Sequence, residues 1–308
     1  MSFISIENLS ASAGKKKILH NLDLVINPGE VHVIMGPNGS GKSTLLNVIM
    51  KNPAYELTSG TIRVKGEEVN DWTADERARA GLFMTFQNSE EIPGITLAEF
   101  IRSALYAKTQ EKVPFRTFMK DLYRHMDALQ MDHSYAERYV NVGFSGGEKK
   151  KSEMLQLLML EPELAMLDEI DSGLDVDAVR VVAKALEGYK SKDRALILVT
   201  HHDELIDRIQ PNYVHVIHKG RFVAHGGQDL LEKVRQEGYG WIADVENTPA
   251  QAAPTQSTPT QSTSTVAAST HPLVQGQAAA MAGYSAAQLQ AAREALRVKG
   301  APDPGQEG

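Results

Sequence analysis

The stretch GPNGSGKST, Gly36 to Thr44, is the strongest indication of the fold. It fits the pattern G-x-x-x-x-G-K-[ST], it follows the apolar run EVHVIM, and it precedes STLLNVIMK, which has the composition of a helix. In a strand–loop–helix context, glycines let consecutive backbone N–H groups converge on phosphate oxygens, and the helix N-terminus adds partial positive charge. The stretch therefore predicts a nucleotide-phosphate site on a P-loop α/β fold.

The predicted site is assigned residue by residue. Lys42 is expected to reach the β- and γ-phosphates of ATP, and Ser43 is expected to ligate Mg²⁺. The residues predicted to bind the phosphates are Gly36, Pro37, Asn38, Gly39, Ser40, Gly41, Lys42, Ser43 and Thr44.

Composition narrows the class of protein. The chain has 308 residues, a formal net charge of -7 and no cysteine. The acidic balance argues mildly against a nucleic-acid partner, and without cysteine the chain cannot hold an iron–sulfur cluster through its own thiolates. No signal peptide and no run of about 20 apolar residues is visible. A soluble, cytoplasmic protein is expected.

Other apolar runs extend the α/β pattern. LAMLDE and ALILVT, like EVHVIM, are each followed by a loop or helix, which is typical of buried parallel strands. FISIENL and LDLVI predict an early antiparallel layer, and YVHVIHKGRFVAHG predicts a hairpin that turns at Lys219-Gly220. We expect a mostly parallel core sheet, an antiparallel β layer and a helical subdomain.

Two carboxylates follow one of these strands. Asp168 and Glu169 end the run LAML, and an acidic residue at that edge can bind Mg²⁺ directly or through water. The next carboxylate can polarise the water that attacks the γ-phosphate. The alternative is that both simply face solvent at the end of a strand.

His201 and Gln87 are weaker candidates. His201 ends the run LILVT and can hydrogen-bond the γ-phosphate, although in isolation it is better explained as a surface histidine. A metal site formed by residues 201–204 is disfavoured because adjacent side chains rarely converge on one ion. Gln87 follows the run GLFMTF and can ligate Mg²⁺ or the attacking water, which makes it a third predicted metal ligand beside Ser43 and Asp168.

The stretch FSGGEKKK, Phe144 to Lys151, completes the pattern. In this order, the motifs resemble the ATPase domain of the ABC superfamily. Gly36–Thr44 are similar to its Walker A motif, Gln87 to the Q-loop, and Phe144–Glu148 to the signature motif, usually LSGGQ. Leu164–Asp168 are similar to Walker B, with Glu169 as the catalytic glutamate, Ser172–Asp175 to the D-loop, and His201 to the switch histidine.

The resemblance implies an ATP-dependent homodimer that forms transiently. Ser145, Gly146 and Gly147 would then close over an ATP held by the Walker A motif of a second copy, and Glu169, His201 and Gln87 would serve hydrolysis. The lysines would lie in the first turn of a helix. For Lys150 and Lys151 a solvated basic run is the better interpretation.

The chain resembles the SufC group of ABC ATPases, which serve SUF iron–sulfur cluster assembly, in the stretches GLFMTFQNSEEIPGI, NVGFSGGEKKKSEMLQLLMLEPELAMLDEIDSGLDVDA and PNYVHVIHKGR taken together. Phe144 and Glu148, where transporter signatures have Leu and Gln, fit that group. That similarity implies SufB- and SufD-like partners, which carry the cluster chemistry. The alternatives are the motor subunit of a membrane ABC transporter and a nucleotide-dependent binding module without turnover. Glu169 and His201 argue against the last.

We expect two further contacts of this chain, one with the adenine base and one with partner proteins. Transporter ATPases usually place an aromatic residue before Walker A to stack on adenine, but the stretch SASAGKKKIL has none at that position, so Lys16 or Ile18 is expected to support the base. Partner proteins are expected near the Q-loop. The candidates are Met84, Phe86, Ile92, Pro93, Ile95 and Phe100, with burial in the core as the alternative for Met84 and Phe86.

Composition divides the chain near Thr248. Residues 1–247 are expected to form the ATPase domain, with a helical subdomain at about 89–160. Residues 248–283 are rich in Ala, Thr, Gln, Ser and Pro, which predicts a disordered linker. A short helix is predicted at 284–300, ended by Gly300, before a disordered tail at 301–308.

Overall fold

A computed structural model describes residues 1–87 and 89–242. The predicted linker at 248–283, the helix at 284–300 and the tail at 301–308 lie outside the described residues. The strands are β1 (Ile4–Ala13), β2 (Lys16–Ile26), β3 (Val31–Met35), β4 (Glu56–Val64), β5 (Glu67–Glu68), β6 (Leu82–Met84), β7 (Ile92–Thr96), β8 (Tyr139–Val140), β9 (Leu164–Asp168), β10 (Ala195–Val199), β11 (Tyr213–His218) and β12 (Arg221–Gly226). The helices are α1 (Lys42–Ile49), α2 (Ala74–Arg79), α3 (Leu97–Thr109), α4 (Phe115–Ala128), α5 (Gly146–Leu160), α6 (Val176–Tyr189), α7 (Asp203–Ile209) and α8 (Gln228–Glu237), with a 3-10 helix at His133–Glu137.

The central sheet has six strands within the described part of the chain, in the order β12-β11-β3-β10-β9-β6. All neighbours run parallel except β12, which pairs antiparallel with β11 at one edge. The predicted parallel strands and the hairpin at Lys219-Gly220 are confirmed. Because β3, β9 and β10 are all parallel, their carboxyl ends meet at one edge of the sheet.

Both faces of this sheet are covered, which explains why its parallel strands are mostly apolar. Along β9, Leu164 and Met166 belong to one buried cluster, whereas Ala165 and Leu167 belong to another. Successive side chains of a strand point to opposite faces, so each face packs on its own layer. One layer is helix α1 with the antiparallel sheet, and the other contains α3 to α8.

The antiparallel layer has the order β2-β1-β4-β5. β1 pairs antiparallel with both β2 and β4, which confirms the predicted early antiparallel layer. Buried side chains of this layer, such as Ile4 and Leu19, pack with Leu45 and Leu46 of α1. The layer thus holds the helix that follows the phosphate loop against the central sheet.

Residues 89–160 contain α3, α4, α5, the 3-10 helix and the short pair β7–β8. Helices α3 and α4 both contact α5. The buried residues Phe118, Leu122 and Met126 of α4 join the same cluster as Leu155 and Leu158 of α5. The helix that begins at the signature stretch is therefore supported by this helical region.

A chain of histidines joins β3, β11 and β12. His32 Nδ1 lies 2.8 Å from His215 Nε2, and His215 Nδ1 lies 2.7 Å from His225 Nδ1. The chain ends at Glu30, whose carboxylate lies 3.1 Å from His32 Nε2. Because a carboxylate only accepts, His32 donates to Glu30, His215 donates to His32, and His225 donates to His215. All three rings satisfy this pattern when they are neutral.

Candidate functional site

The phosphate loop begins where β3 ends. Gly36 has φ 148°, and a Cβ atom there would lie 2.1 Å from the carbonyl oxygen of Ile217 in β11. Only glycine fits this close approach of two backbones. The amide of Gly36 donates to the hydroxyl of Tyr239 at 3.0 Å. Strand β11 and Tyr239, which follows helix α8, therefore fix the start of the loop from two sides.

Helix α1 presents unused backbone donors at the end of the loop. Its N-cap residue is Gly41 (φ 112°), which has no side chain to accept a hydrogen bond from the first turn of the helix. The first N–H groups of a helix need an outside acceptor, so an uncapped end is suited to an anion. The Lys42 ammonium donates to the carbonyl oxygens of Gly36 (2.8 Å) and Pro37 (3.2 Å). Burial lowers the Lys42 pKa, and the Glu169 and Asp168 carboxylates oppose that shift.

The loop lines an open cleft of about 760 Å³. This volume is in the range of a small-molecule site. The cleft brings together Gln87, Glu169 and the loop residues from Asn38 to Thr44. Its remaining walls are formed by Lys16, Lys17, Ile18, His20, Lys219 and Gly220.

The Lys219-Gly220 turn is a wall of the cleft that sequence reasoning missed. Gly220 donates its N–H to the carbonyl of Ser40 (2.8 Å) and accepts from the N–H of His20 (2.9 Å). It ties the phosphate loop to β2, and a Cβ atom at Gly220 would lie 1.8 Å from the carbonyl oxygen of Ile18. The hairpin was visible in the sequence, but its contact with residues far earlier in the chain was not. His20 also adds an aromatic ring beside the expected Lys16 and Ile18.

Asp168 is a buried carboxyl group that lacks a partner in the described part of the chain. The residue is 0% exposed, and neither carboxylate oxygen has a hydrogen-bond partner there. Its backbone N–H donates to the hydroxyl of Thr85 at 3.0 Å, which fixes the end of β9. Burial raises its pKa, and the nearby Ser43 hydroxyl and Lys42 ammonium partly oppose that shift. A buried, unpaired carboxylate near a hydroxyl suits a hard cation such as Mg²⁺.

Glu169 follows in a strained backbone conformation. Its φ is 48°, in the left-handed region that residues other than glycine seldom adopt. Its N–H donates to the carbonyl of Val199 on β10 at 2.9 Å, which over-determines this conformation. Asp168 is buried as the last residue of β9, and after this turn Glu169 lies on the wall of the cleft. Strain of this kind is common at functional sites.

His201 follows β10 and lies beside the cleft rather than among its described lining residues. Burial and the Lys42 ammonium lower its pKa, and the Glu169 carboxylate raises it. The carboxylates of Asp203 and Glu204 pair instead with Arg235 (2.8 Å) and Arg180 (2.9 Å). Both acidic side chains are therefore engaged by arginines, which argues against a metal site at 201–204.

A second cleft, of about 580 Å³, meets the first at Gln87 and Glu169. Gly146, at the start of α5, lies on its wall. Ser145 is the N-cap of α5, and its hydroxyl accepts from the N–H of Glu148. Ser145, Gly146 and Gly147 are absent from the described lining of the first cleft. The structure therefore separates the two glycine-rich stretches within one chain.

The interpretation of Lys150 as a solvated residue was wrong. Its side chain is 8% exposed, and its ammonium donates to the carbonyl of Phe86 (2.9 Å) and to the Glu153 carboxylate (3.3 Å). Glu153 also accepts from the N–H of Phe86 (3.1 Å) and the hydroxyl of Ser89 (2.7 Å). This buried ion pair ties α5 to the Q-loop stretch.

The predicted partner surface divides into buried and accessible residues. Met84 and Phe100 are 6% and 8% exposed and belong to the core, so they cannot contact a partner. Their side chains pack in the two buried clusters on either side of the central sheet. Pro93 is exposed, and Phe86, Ile92 and Ile95 are partly exposed. Among residues 1–87 and 89–242, no helix has the length and apolar character needed to cross a membrane.

Comparison with known proteins identifies relatives over most of the chain. The family model described as ABC transporter matches residues 19–172. A probable ABC transporter ATP-binding protein of Streptococcus pyogenes is 49% identical over 245 residues, which are 79% of this chain and 96% of that protein. The probable ATP-dependent transporter SufC of Escherichia coli is 43% identical over 248 residues, which are 78% of this chain and 99% of that protein.

Solved structures share the fold. The dimeric structure of a bacterial ABC transporter cassette superposes with a TM-score of 0.64 at 22% identity, over 73% of this chain and 98% of that one. The predicted fold class is thereby confirmed.

Proposed function

The chain is an ATPase of the ABC family, and we propose that it is the ATP-hydrolysing subunit of a SUF-type iron–sulfur cluster assembly complex. The main support for this proposal is that the chain is 43% identical to a SufC protein over 99% of that protein's length. ATP-driven pairing of two copies would drive conformational change in SufB- and SufD-like partners.

The first cleft would bind ATP. Lys42 and the free N–H groups of α1 would hold the phosphates, and His20, Ile18 and Lys16 would line the path of the base. Because the buried Asp168 carboxyl suits a hard cation, Asp168, the Ser43 hydroxyl and the Gln87 amide would hold Mg²⁺. When bound, Mg²⁺ supplies charge that stabilises the transferred phosphoryl group.

Hydrolysis would use the side chains around that position. The Glu169 carboxylate polarises the attacking water, since it lies on the wall of the cleft and its backbone turn is fixed by Val199. His201 donates a hydrogen bond to the γ-phosphate. Gln87, shared by both clefts, senses the phosphate and adjoins the Lys150–Glu153 ion pair. The chemistry is mainly positioning and charge stabilisation.

The signature stretch would act on a second copy. Ser145, Gly146 and Gly147 lie outside the described lining of the first cleft, so they would meet ATP only across an interface between two chains. No described atom lies within 4 Å of a Cβ placed on Gly146, so its backbone is open to a partner. A dimeric cassette of the same fold supports this arrangement.

Partner proteins would bind beside the Q-loop. Ile92, Pro93 and Ile95 on β7 are at least partly exposed, and β7 leads directly into α3. Because the carbonyl and N–H of Phe86 are bonded to Lys150 and Glu153, movement at this surface would reach α5. The absence of cysteine fits a subunit that supplies ATP energy while its partners hold the cluster.

A membrane transporter motor is the second candidate. Its support is the 49% identity to a protein named as an ABC transporter ATP-binding protein. Both candidates require the same ATP chemistry and a second chain, so the identity of that chain distinguishes them.

The test is affinity purification of the tagged chain from its own cell extract, with identification of the co-purifying proteins by mass spectrometry. We expect SufB- and SufD-like proteins. The variant Pro93→Asp should reduce their recovery about tenfold or more, because it places a charge in the proposed interface. Val25→Asp is the matched control, since Val25 is 54% exposed on β2, in the antiparallel layer.

Recovery of polytopic membrane proteins in place of SufB- and SufD-like proteins would support the transporter motor and reject the iron–sulfur role. Equal recovery with Pro93→Asp and Val25→Asp would move the partner surface away from β7.

A further inference from the structure

Phe144 and Glu148, which distinguish this signature stretch from the usual LSGGQ, belong to one cluster of side chains. The signature cluster consists of Tyr135, Arg138, Phe144 and Glu148, which contact one another through the 3-10 helix and the start of α5. Tyr135 donates its hydroxyl to Glu148 Oε1. The rings of Tyr135 and Phe144 meet edge to face, with 4.8 Å between their centroids.

Arg138 ties this cluster to the backbone. Its guanidinium lies 4.4 Å from the ring centroid of Tyr135 and 4.6 Å from that of Phe144, which are cation–π distances. Its Nη2 donates to the carbonyl of Gly143 at 3.1 Å. The segment that enters the signature is therefore held through both a side chain and a backbone atom.

Glu148 is engaged through both of its carboxylate oxygens. Oε1 accepts from Tyr135, and Oε2 accepts from the N–H of Ser145 at 2.7 Å. The N–H of Glu148 in turn donates to the Ser145 hydroxyl oxygen at 3.3 Å. This capping box uses the hydroxyl as an acceptor and leaves its proton free to donate to an anion.

The same carboxylate places negative charge at the beginning of α5. The hydrogen bond from Tyr135 lowers the pKa of Glu148, so the group is ionised at neutral pH. A carboxylate stabilises a helix N-terminus, but it repels a phosphate that approaches the same N–H groups. Glutamine would keep the capping box without that charge.

We propose that Tyr135 and Arg138 are positioning residues for the signature serine, and that the charge of Glu148 limits the strength of the ATP-bridged dimer. The inference rests on the proposed pairing of two copies. Tyr135 and Arg138 hold the carboxylate to one side, so that Ser145 can donate to the phosphate while the dimer stays weak enough to separate. The cluster thus sets how much ATP is needed to join two chains.

The test measures dimerisation by sedimentation velocity at increasing concentrations of Mg²⁺-ATP, in a Glu169→Gln background that prevents turnover. Glu148→Gln should lower the ATP concentration for half-maximal dimerisation about tenfold, because one repulsive charge is removed. Tyr135→Phe should raise it about fivefold, because the carboxylate loses the donor that holds it aside. Binding of a fluorescent ATP analogue to dilute monomer should be unchanged in both, since the cluster acts on the partner's nucleotide.

Matched controls come from the same region. Tyr123→Phe removes a hydroxyl from a ring that stacks on His133, and Glu137→Gln neutralises an exposed charge of the 3-10 helix. Neither should shift the dimerisation midpoint.

Three outcomes would overturn the inference. One is a midpoint that is the same in all variants. Another is a midpoint that moves together with monomer affinity, because that identifies a merely structural role. The third is the absence of an ATP-dependent dimer in every variant, which rejects the proposed pairing as well.

Discussion

Two glycine-rich stretches precede helices in this chain, and they end in opposite ways. Gly36–Thr44 leads into α1, whose N-cap Gly41 makes no side-chain hydrogen bond. Phe144–Glu148 leads into α5, whose N-cap Ser145 forms a complete capping box with Glu148. The first stretch leaves the donors of its helix start for a ligand, whereas the second satisfies the N–H groups of Ser145 and Glu148 within its own capping box.

Their surroundings differ in the same sense. Gly36 is pressed against Ile217, so the first stretch is built into the sheet. A Cβ atom added to Gly146 would meet no described atom within 4 Å, so the second stretch lies open at the surface. Similar glycine-rich sequences thus serve as a rigid cradle in one place and as an open contact face in the other. Substitutions in each stretch test this difference.

The largest effect is expected where the two regions meet. Glu169 lines both clefts, so Glu169→Gln should reduce ATP hydrolysis by about 10²- to 10⁴-fold. The amide keeps the size of the side chain but cannot take a proton from water. ATP binding and ATP-dependent dimerisation should persist. Steady-state phosphate release and equilibrium nucleotide binding check both parts, and wild-type turnover would reject the assignment.

Gly36→Ala tests the rigid cradle. A methyl group 2.1 Å from the carbonyl oxygen of Ile217, at φ 148°, forces β3 and β11 apart or displaces the loop. We expect a loss of about 3 kcal/mol or more in the free energy of unfolding, with loss of ATP binding. Urea denaturation and nucleotide titration measure the two effects. Gly39→Ala, where a Cβ meets nothing within 4 Å in the described chain, is the control for the left-handed backbone alone.

Much of this architecture was accessible from the sequence. Strands β3, β9 and β10 are buried on both faces and are mostly apolar, with His32 inside β3 and Asp168 at the end of β9 as the polar exceptions, and they were predicted. The site residues on the Walker A loop could be assigned because that motif is local. Lys150 was misread because its partner Phe86 lies 64 residues away, although the glutamate at i+3 was a visible signal. The contact of Gly220 with Ser40 was likewise beyond reach, since it depends on strand order.

Acid should destabilise the surroundings of Gly36–Thr44 more than those of Phe144–Glu148. Burial lowers the pKa values of His32, His215 and His225 on β3 and the adjacent hairpin, that of His215 to about 2. Glu30 and Asp23 partly oppose the shifts at the two ends. Because the folded state holds these rings neutral, their stabilising contribution is complete above pH 6.5 and is lost as the pH falls below it. Each ring contributes at most about 1.4 kcal/mol per pH unit.

The measurement is the free energy of unfolding in urea at pH 7.5 and pH 5.5. His215→Gln should be less stable than the wild type at pH 7.5 but should lose less stability on acidification. His133→Gln is the control, because His133 is exposed on the 3-10 helix. Equal pH slopes for wild type and His215→Gln would contradict a neutral buried chain.

The smallest change in stability, and the clearest contrast, is expected for Gly146→Ala. Alanine favours the helical conformation over glycine, and the added methyl group meets no described atom within 4 Å in the isolated chain. The free energy of unfolding should therefore rise by about 0.5 kcal/mol, opposite in sign to Gly36→Ala. ATP-dependent dimerisation should nevertheless weaken, because the methyl group occupies the face that the partner's nucleotide must approach.

Gly188→Ala, in α6, offers the same open space without that face, so it should stabilise the chain and leave dimerisation unchanged. If Gly146→Ala and Gly188→Ala behave alike in sedimentation, the second stretch is an ordinary helix start and the contrast between the two regions loses its functional meaning.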